Sequence, residues 1–225
     1  MLIALMTCPA LLATSEAIRQ GQTKDRREEH RARRSNLIVS CVDTSPHSRE
    51  IDHRQVALKN NKVTILLKFL FYSRITLTFR QLYIKCDTND ASLHPFAGYF
   101  LPYPDSTYEG IVSTITDVAP VMNWIYVDRE SYEVKYGVRV DAQPNITGPF
   151  DCTRQDRRLT LEQWEGFMAV REDAGEDIGM WALYYDRDDD GLKGKLGAGK
   201  TILEVELCRW EKRVRKGAPL GDMRN

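Results

Sequence analysis

Alternation with a period of two is the feature that most constrains this chain. Residues 202–210 put Leu203, Val205 and Leu207 on one side of an extended backbone and Glu204 and Glu206 on the other. Successive side chains leave a strand on opposite faces, so this pattern predicts a strand with one buried face. Residues 131–139 repeat it, with Tyr132, Val134, Tyr136 and Val138 opposite Glu133, Lys135 and Arg139. Together with residues 123–128 they predict a hairpin across Arg129 and Glu130. Further short strands are expected at 37–42, 96–101 (ended by Pro102 and Pro104), 111–116, 158–161, 164–171 and 180–186. About eight to ten strands with short turns predict a mainly β fold, a single antiparallel β-barrel or sandwich domain. No internal repeat stands out, which argues against a propeller or a threefold trefoil.

One stretch breaks this grammar. Residues 63–81, VTILLKFLFYSRITLTFRQ, hold 11 apolar residues of 19, three basic residues and no acid. The apolar run is interrupted at Lys68, Arg74 and Arg80 and never reaches the roughly 20 clean residues of a spanning helix. With the stretch removed, the text reads RQVALK-NN-KLYIK, two strands around an Asn60-Asn61 turn. Asn tolerates the left-handed backbone such turns require. Ile65, Leu67 and Phe69, then Ile75, Leu77 and Phe79, would instead suit a half-buried hairpin of their own. The alternative favoured by the flanks is a translated intron. Val63 requires a codon beginning GT, Gln81 can be CAG, and residues 76–78 can encode CTAAC; nineteen codons give 57 nucleotides in frame.

The domain limits expected are an apolar N-terminus and charged helical arm over 1–36, one β-rich domain over 37–215 containing the 63–81 insert, and a flexible tail over 216–225. Within the arm, Gly21 confines the helix to about 22–35, supported by Glu28–Arg31 and Glu29–Arg33 spacings. Residues 24–34 carry six basic and three acidic side chains, and the chain as a whole balances 32 basic against 32 acidic residues. Neither is the field of a nucleic-acid binder. The five cysteines are scattered singly, without a CxxC pair, which favours reduced thiols in a cytoplasmic protein. Secretion is the alternative: residues 2–13 are apolar, but no basic residue precedes them and Pro9 interrupts them.

Two motifs match on paper. Residues 194–201, GKLGAGKT, satisfy the phosphate-loop pattern, yet the text that follows alternates like a strand where a helix is needed. Asp186, Asp188, Asp190 and Gly191 open like a calcium loop, but position 12 is Gly197 instead of a glutamate. Both read as turns, so no metal or cofactor is expected. The four histidines are isolated, and no catalytic residue is assigned. Asp151, Asp156, Glu162 and Glu165 surround Trp164 and form the one constellation that could serve an enzyme or a sugar site. Trp124, Tyr126, Trp164 and Tyr184 are the candidate ligand-binding residues, although alternating aromatics more often pack a core.

The passages PFAGYFLPYPD, STITDVAPVMNWIYVDRESYEVKYGVR, GPFDCTRQDRRLTLEQWEGF and WALYYDRDDDGL resemble a family of small β-rich proteins of filamentous fungi. The resemblance covers most of the chain outside 63–81 and implies no activity or catalytic residue. The expectation is a non-enzymatic β-domain that binds a small ligand or a protein, without a membrane span. A carbohydrate-binding module is the first alternative, and an enzyme with an acidic site near Trp164 the second.

Overall fold

The computed structural model describes residues 19–20, 30–59, 61–65, 75–86, 93–114, 122–173, 179–197 and 199–211, with backbone alone for 61–65 and 75–79. The chain divides into two units, Met1–Arg33 and Arg34–Asn225. In the first, residues 19–20 and 30–32 are helical. The expected arm therefore lies partly outside the described residues, and its helix stops at residue 32, before Ser35 enters a strand. The leader-like residues 1–18 and the tail beyond 211 also lie outside them.

The second unit is built of strands. In chain order they are β1 (Ser35–Cys41), β2 (Gln55–Lys59), β3 (Asn61–Ile65), β4 (Ile75–Phe79), β5 (Leu82–Lys85), β6 (Leu93–Pro95) and β7 (Gly98–Pro102). They continue with β8 (Glu109–Thr114), β9 (Met122–Val127), β10 (Val134–Gly137), β11 (Phe150–Cys152), β12 (Leu159–Leu161), β13 (Phe167–Arg171), β14 (Trp181–Tyr185) and β15 (Ile202–Glu211). Six of them close a ring in which every neighbour is antiparallel: β1, β15, β13, β14, β5 and β2, returning to β1. The β1–β15 seam runs from Ser35↔Glu211 to Cys41↔Val205. Closure is made at Ile38↔Gln55, reinforced by the amides of Val39 and His53 on the carbonyls of Arg54 and Val39, each at 2.9 Å. A closed barrel removes the exposed edges that a sandwich would keep.

The alternation read in the sequence explains what fills the ring. Leu203, Val205 and Leu207 are buried on β15, and Val39, Val56, Phe167, Ala169 and Trp181 have no more than 1% exposure. Each such large side chain contributes about 1.5–3 kcal/mol of burial. β7 leaves β1 at Ser35↔Gly98 and opens a meander β7–β8–β9–β10 on the side of the barrel. The expected hairpin across Arg129 and Glu130 is its last turn, in register Val134↔Val127 to Gly137↔Trp124. Tyr132, Val134 and Tyr136 share the buried face as expected, while Val138 is 46% exposed because the chain turns there into the short helix Arg139–Ala142.

On either side of residues 63–81, β2 and β5 pair directly, Leu58↔Leu82 to Gln55↔Lys85. β3 and β4 pair with each other in a separate two-stranded sheet, Asn61↔Phe79 to Ile65↔Ile75. Residues 66–74 lie outside the described residues. The last two residues of the segment are woven into the barrel, however. The Lys59 amide donates to the Gln81 carbonyl at 3.4 Å, and the Tyr136 amide to the Arg80 carbonyl at 2.9 Å.

Candidate functional site

The β7–β8 turn begins between two prolines, Pro102 and Pro104, which hold Tyr103 against the meander. Ser106 fixes the turn by donating to the Tyr103 carbonyl at 2.8 Å. Tyr103 is 6% exposed, stacks on Tyr108 at 5.8 Å and meets Trp124 edge-on at 4.8 Å. Trp124 reaches that position because β8 carries Gly110, where an added Cβ would lie 2.8 Å from the indole. Tyr103 and Tyr108 wall a surface depression of about 270 Å³, rimmed by Asp105, Arg129, Arg139, Gln143, Asn145 and Thr147.

The polar groups of the depression divide into those already used and those left open. Thr147, buried, shares a 2.8 Å hydrogen bond with the Tyr108 hydroxyl. Asn145 accepts from the Arg129 amide at 3.2 Å and donates to the Asp141 carbonyl at 2.9 Å, tying the two rims together. Arg139 pairs with Asp105. The Tyr103 hydroxyl is sealed and has no hydrogen-bond partner among the described residues. Burial pushes its pKa up, with the nearby Thr147 hydroxyl acting against that shift although its bonding geometry goes to Tyr108. An orphaned buried hydroxyl costs about 1–3 kcal/mol, and this one lies sealed behind the wall, so the groups a ligand can reach are those of the rim.

The four aromatic residues singled out in the sequence are dispersed. Trp124 supports the depression through Tyr103. Tyr126, two positions on, is buried, and its pKa is raised by that burial and by Asp141. Tyr184 is buried at the other end of the meander, donating to Glu133 at 3.3 Å, its pKa raised by burial and then by Glu133. Trp164 is 43% exposed and is not the core tryptophan that strand packing suggested; its indole N–H donates to the Asp186 carbonyl at 3.1 Å. No ring contact joins any two of the four. The residues outside that choice of four, Tyr103, Tyr108, Arg129 and Arg139, come from two turns and the start of the helix Arg139–Ala142. Their one visible signal was the Pro102-Tyr103-Pro104 bracket.

The other constellations resolve into structural roles. Asp156, Glu165 and Glu206 converge on Arg158, at 3.7, 3.2 and 2.5 Å. Glu162 is held by Arg187 in two hydrogen bonds of 2.8 and 2.9 Å, away from that group. The Asp151 carboxylate accepts from the Cys152 amide at 2.7 Å. Asp186 is 1% exposed and spends its oxygens on the amides of Asp190 and Gly191, and Asp188 accepts from the Tyr132 hydroxyl. The calcium-like text is a turn, closed by Gly191 at φ +73°. Lys200 pairs with Glu172 at 3.1 Å and Thr201 leads straight into β15, so the phosphate-loop text lacks its helix. Among the described residues no group of three metal-ligating side chains occurs and no helix is long and apolar enough to cross a membrane.

A mainly β domain closed as a six-stranded antiparallel barrel, with a polar depression beside it, defines the class. The profile of the fungal beta-trefoil domain matches residues 13–213, and the chain belongs to that family. No curated protein and no solved structure matches it. The family corrects the expectation drawn from the missing repeat. A trefoil repeats in backbone, not in side chains, and alternation alone can satisfy each third, so the sequence need not show the period.

Proposed function

We propose that this trefoil is a ligand-binding domain and that the depression walled by Tyr103 and Tyr108 is its site. The observation that carries the reading is the convergence on one depression of polar side chains from separate connections, Asp105, Arg129, Gln143 and Asn145. The surrounding donors and acceptors, the Gln143 amide, the Asp105 carboxylate and the Arg129 guanidinium, suit a small hydroxyl-rich ligand such as a sugar. Residence in the cytoplasm is part of the proposal. Its support is that Cys41, Cys86, Cys152 and Cys208 are all free thiols.

Gln143→Leu tests the site. Removing an exposed rim amide leaves the unliganded protein about as stable, whereas a ligand that bonds to it binds about tenfold more weakly. Binding would be followed by isothermal titration calorimetry across a panel of mono- and disaccharides, with thermal unfolding as the control. Unchanged affinity in the variant, or a panel that leaves the wild-type signal untouched, overturns the reading. A tagged protein found outside the cell would overturn the localisation.

A further inference from the structure

We propose that the ligand carries a single monoanionic oxyanion, a carboxylate or a sulfate ester, on its hydroxyl-rich body, and that Arg129 receives it. This rests on the depression being the ligand site. Three charged side chains line that depression, Arg129, Arg139 and Asp105. Arg139 and Asp105 neutralise each other. Arg129 has no ion-pair or hydrogen-bond partner for its guanidinium among the described residues, which leaves one net positive charge at the rim.

The local structure explains why that charge stays open. The carboxylate nearest in sequence, Asp128, is committed elsewhere. One of its oxygens accepts from the amides of Glu130 and Ser131, at 3.0 and 3.1 Å, and the other meets Lys135 at 3.0 Å. Lys135 in turn bridges to Glu133 at 2.6 Å. The turn carrying Arg129 is therefore built without folding an acid over it. Its backbone is pinned to the opposite rim by Asn145, 3.2 Å from the Arg129 amide. A planar guanidinium on a fixed backbone receives an oxyanion through two parallel hydrogen bonds. The single net charge matches a monoanion better than a phosphate monoester, which carries close to two charges at neutral pH.

The test uses matched pairs on the full chain: glucuronic acid against glucose, galacturonic acid against galactose, with glucose 6-sulfate and glucose 6-phosphate as further arms. Wild-type protein should prefer each acid over its neutral partner by about tenfold at low salt, and the preference should shrink in 0.5 M NaCl. Arg129→Gln should abolish the preference, bringing each acid's affinity down to that of its neutral partner. Asp105→Asn, which releases Arg139, should increase the preference. Sulfate equal to carboxylate and above phosphate supports a monoanion site. Phosphate above both overturns the assignment of charge. Neutral sugars binding as well as acids, with Arg129→Gln silent, overturns this inference and leaves the site reading standing. If no sugar of either kind binds, the site reading itself falls.

Discussion

Deletion of residues 63–81 gives the sharpest test of how this barrel is assembled. β2 and β5 already pair without help from the segment, and Gln81 stands opposite Lys59 at the end of that pairing. In the deletion variant Lys62 takes the place of Gln81, and Asn60 and Asn61 become a two-residue turn. Shortening the connection from the 21 residues of 60–80 to two lowers the closure entropy by about 2 kcal/mol, from (3/2)RT ln(21/2). Against this stands the loss of the Arg80–Asp141 pair, whose side chains are 35% and 40% exposed and which contributes at most about 1 kcal/mol. Putting Lys62 at the buried Gln81 position sets a second cation directly across from buried Lys59, at a cost of about 1–2 kcal/mol. The separate β3–β4 ribbon adds little, because two strands alone are marginal in water. The balance is near zero. Urea unfolding followed by circular dichroism should therefore give a stability within about 2 kcal/mol of the full chain, with cooperativity kept. A loss above about 4 kcal/mol, or failure to fold, would refute the reasoning and make the segment part of the core. Sequencing the spliced message across codons 60–84 checks the intron proposal directly: retention of all 57 nucleotides, nineteen codons, sinks it.

The remaining expectations concern the barrel and its packing. Gly98→Ala would place a Cβ 2.4 Å from the Val112 carbonyl oxygen and 2.2 Å from the Phe96 ring, so it should destabilise by about 1–3 kcal/mol or more, read as a drop in urea midpoint. Tyr185→Phe removes a 2.6 Å hydrogen bond to the Leu161 carbonyl, but that carbonyl keeps the Trp164 amide at 2.9 Å, so the loss should stay near 1 kcal/mol, or about 2–4 °C in melting temperature. Burial pushes the Tyr136 phenol up to about 12, with Arg80 acting against it, and raises Tyr184 and Tyr185 as well. A raised phenol stays protonated in the fold while the unfolded chain ionises near pH 10. Stability is then full below about pH 10 and declines toward pH 12, by about 3 kcal/mol for Tyr136 alone. Absorbance at 295 nm should show these tyrosines titrating only as the protein unfolds; free titration at pH 10 in the native state would contradict their burial.

Much of the barrel was legible because its determinants are local. The alternation over 202–210 places Leu203, Val205 and Leu207 inside, and the hairpin across Arg129 and Glu130 forms, with Val134 opposite Val127. Local pattern failed where tertiary demand overrode it. Trp164 reads as the start of a strand, yet the chain turns through Glu162 and Gln163, both at positive φ, and leaves the indole exposed. Val138 continues an apolar alternation but falls where the Asp141 carboxylate accepts its amide at 3.3 Å and the backbone coils.

The site was harder to read for a different reason. A pocket is a property of elements distant in sequence, and here the residues around Tyr103, around Arg129 and around Asn145 meet only because β7, β8 and β9 stand side by side. No spacing rule links Tyr103 to Thr147. Even with the strands known, the informative quantity is an absence: a guanidinium without an acid. Sequence lists donors and acceptors but cannot say which remain unspent after folding. Asp128 illustrates this, since its neighbour Arg129 looks neutralised in the text until the carboxylate is seen bonded to its own turn and to Lys135. Lys135→Met would release one of those oxygens. If the oxygen then turns to Arg129, acid preference should fall while neutral-sugar binding persists, a result that a purely structural role for Lys135 does not produce.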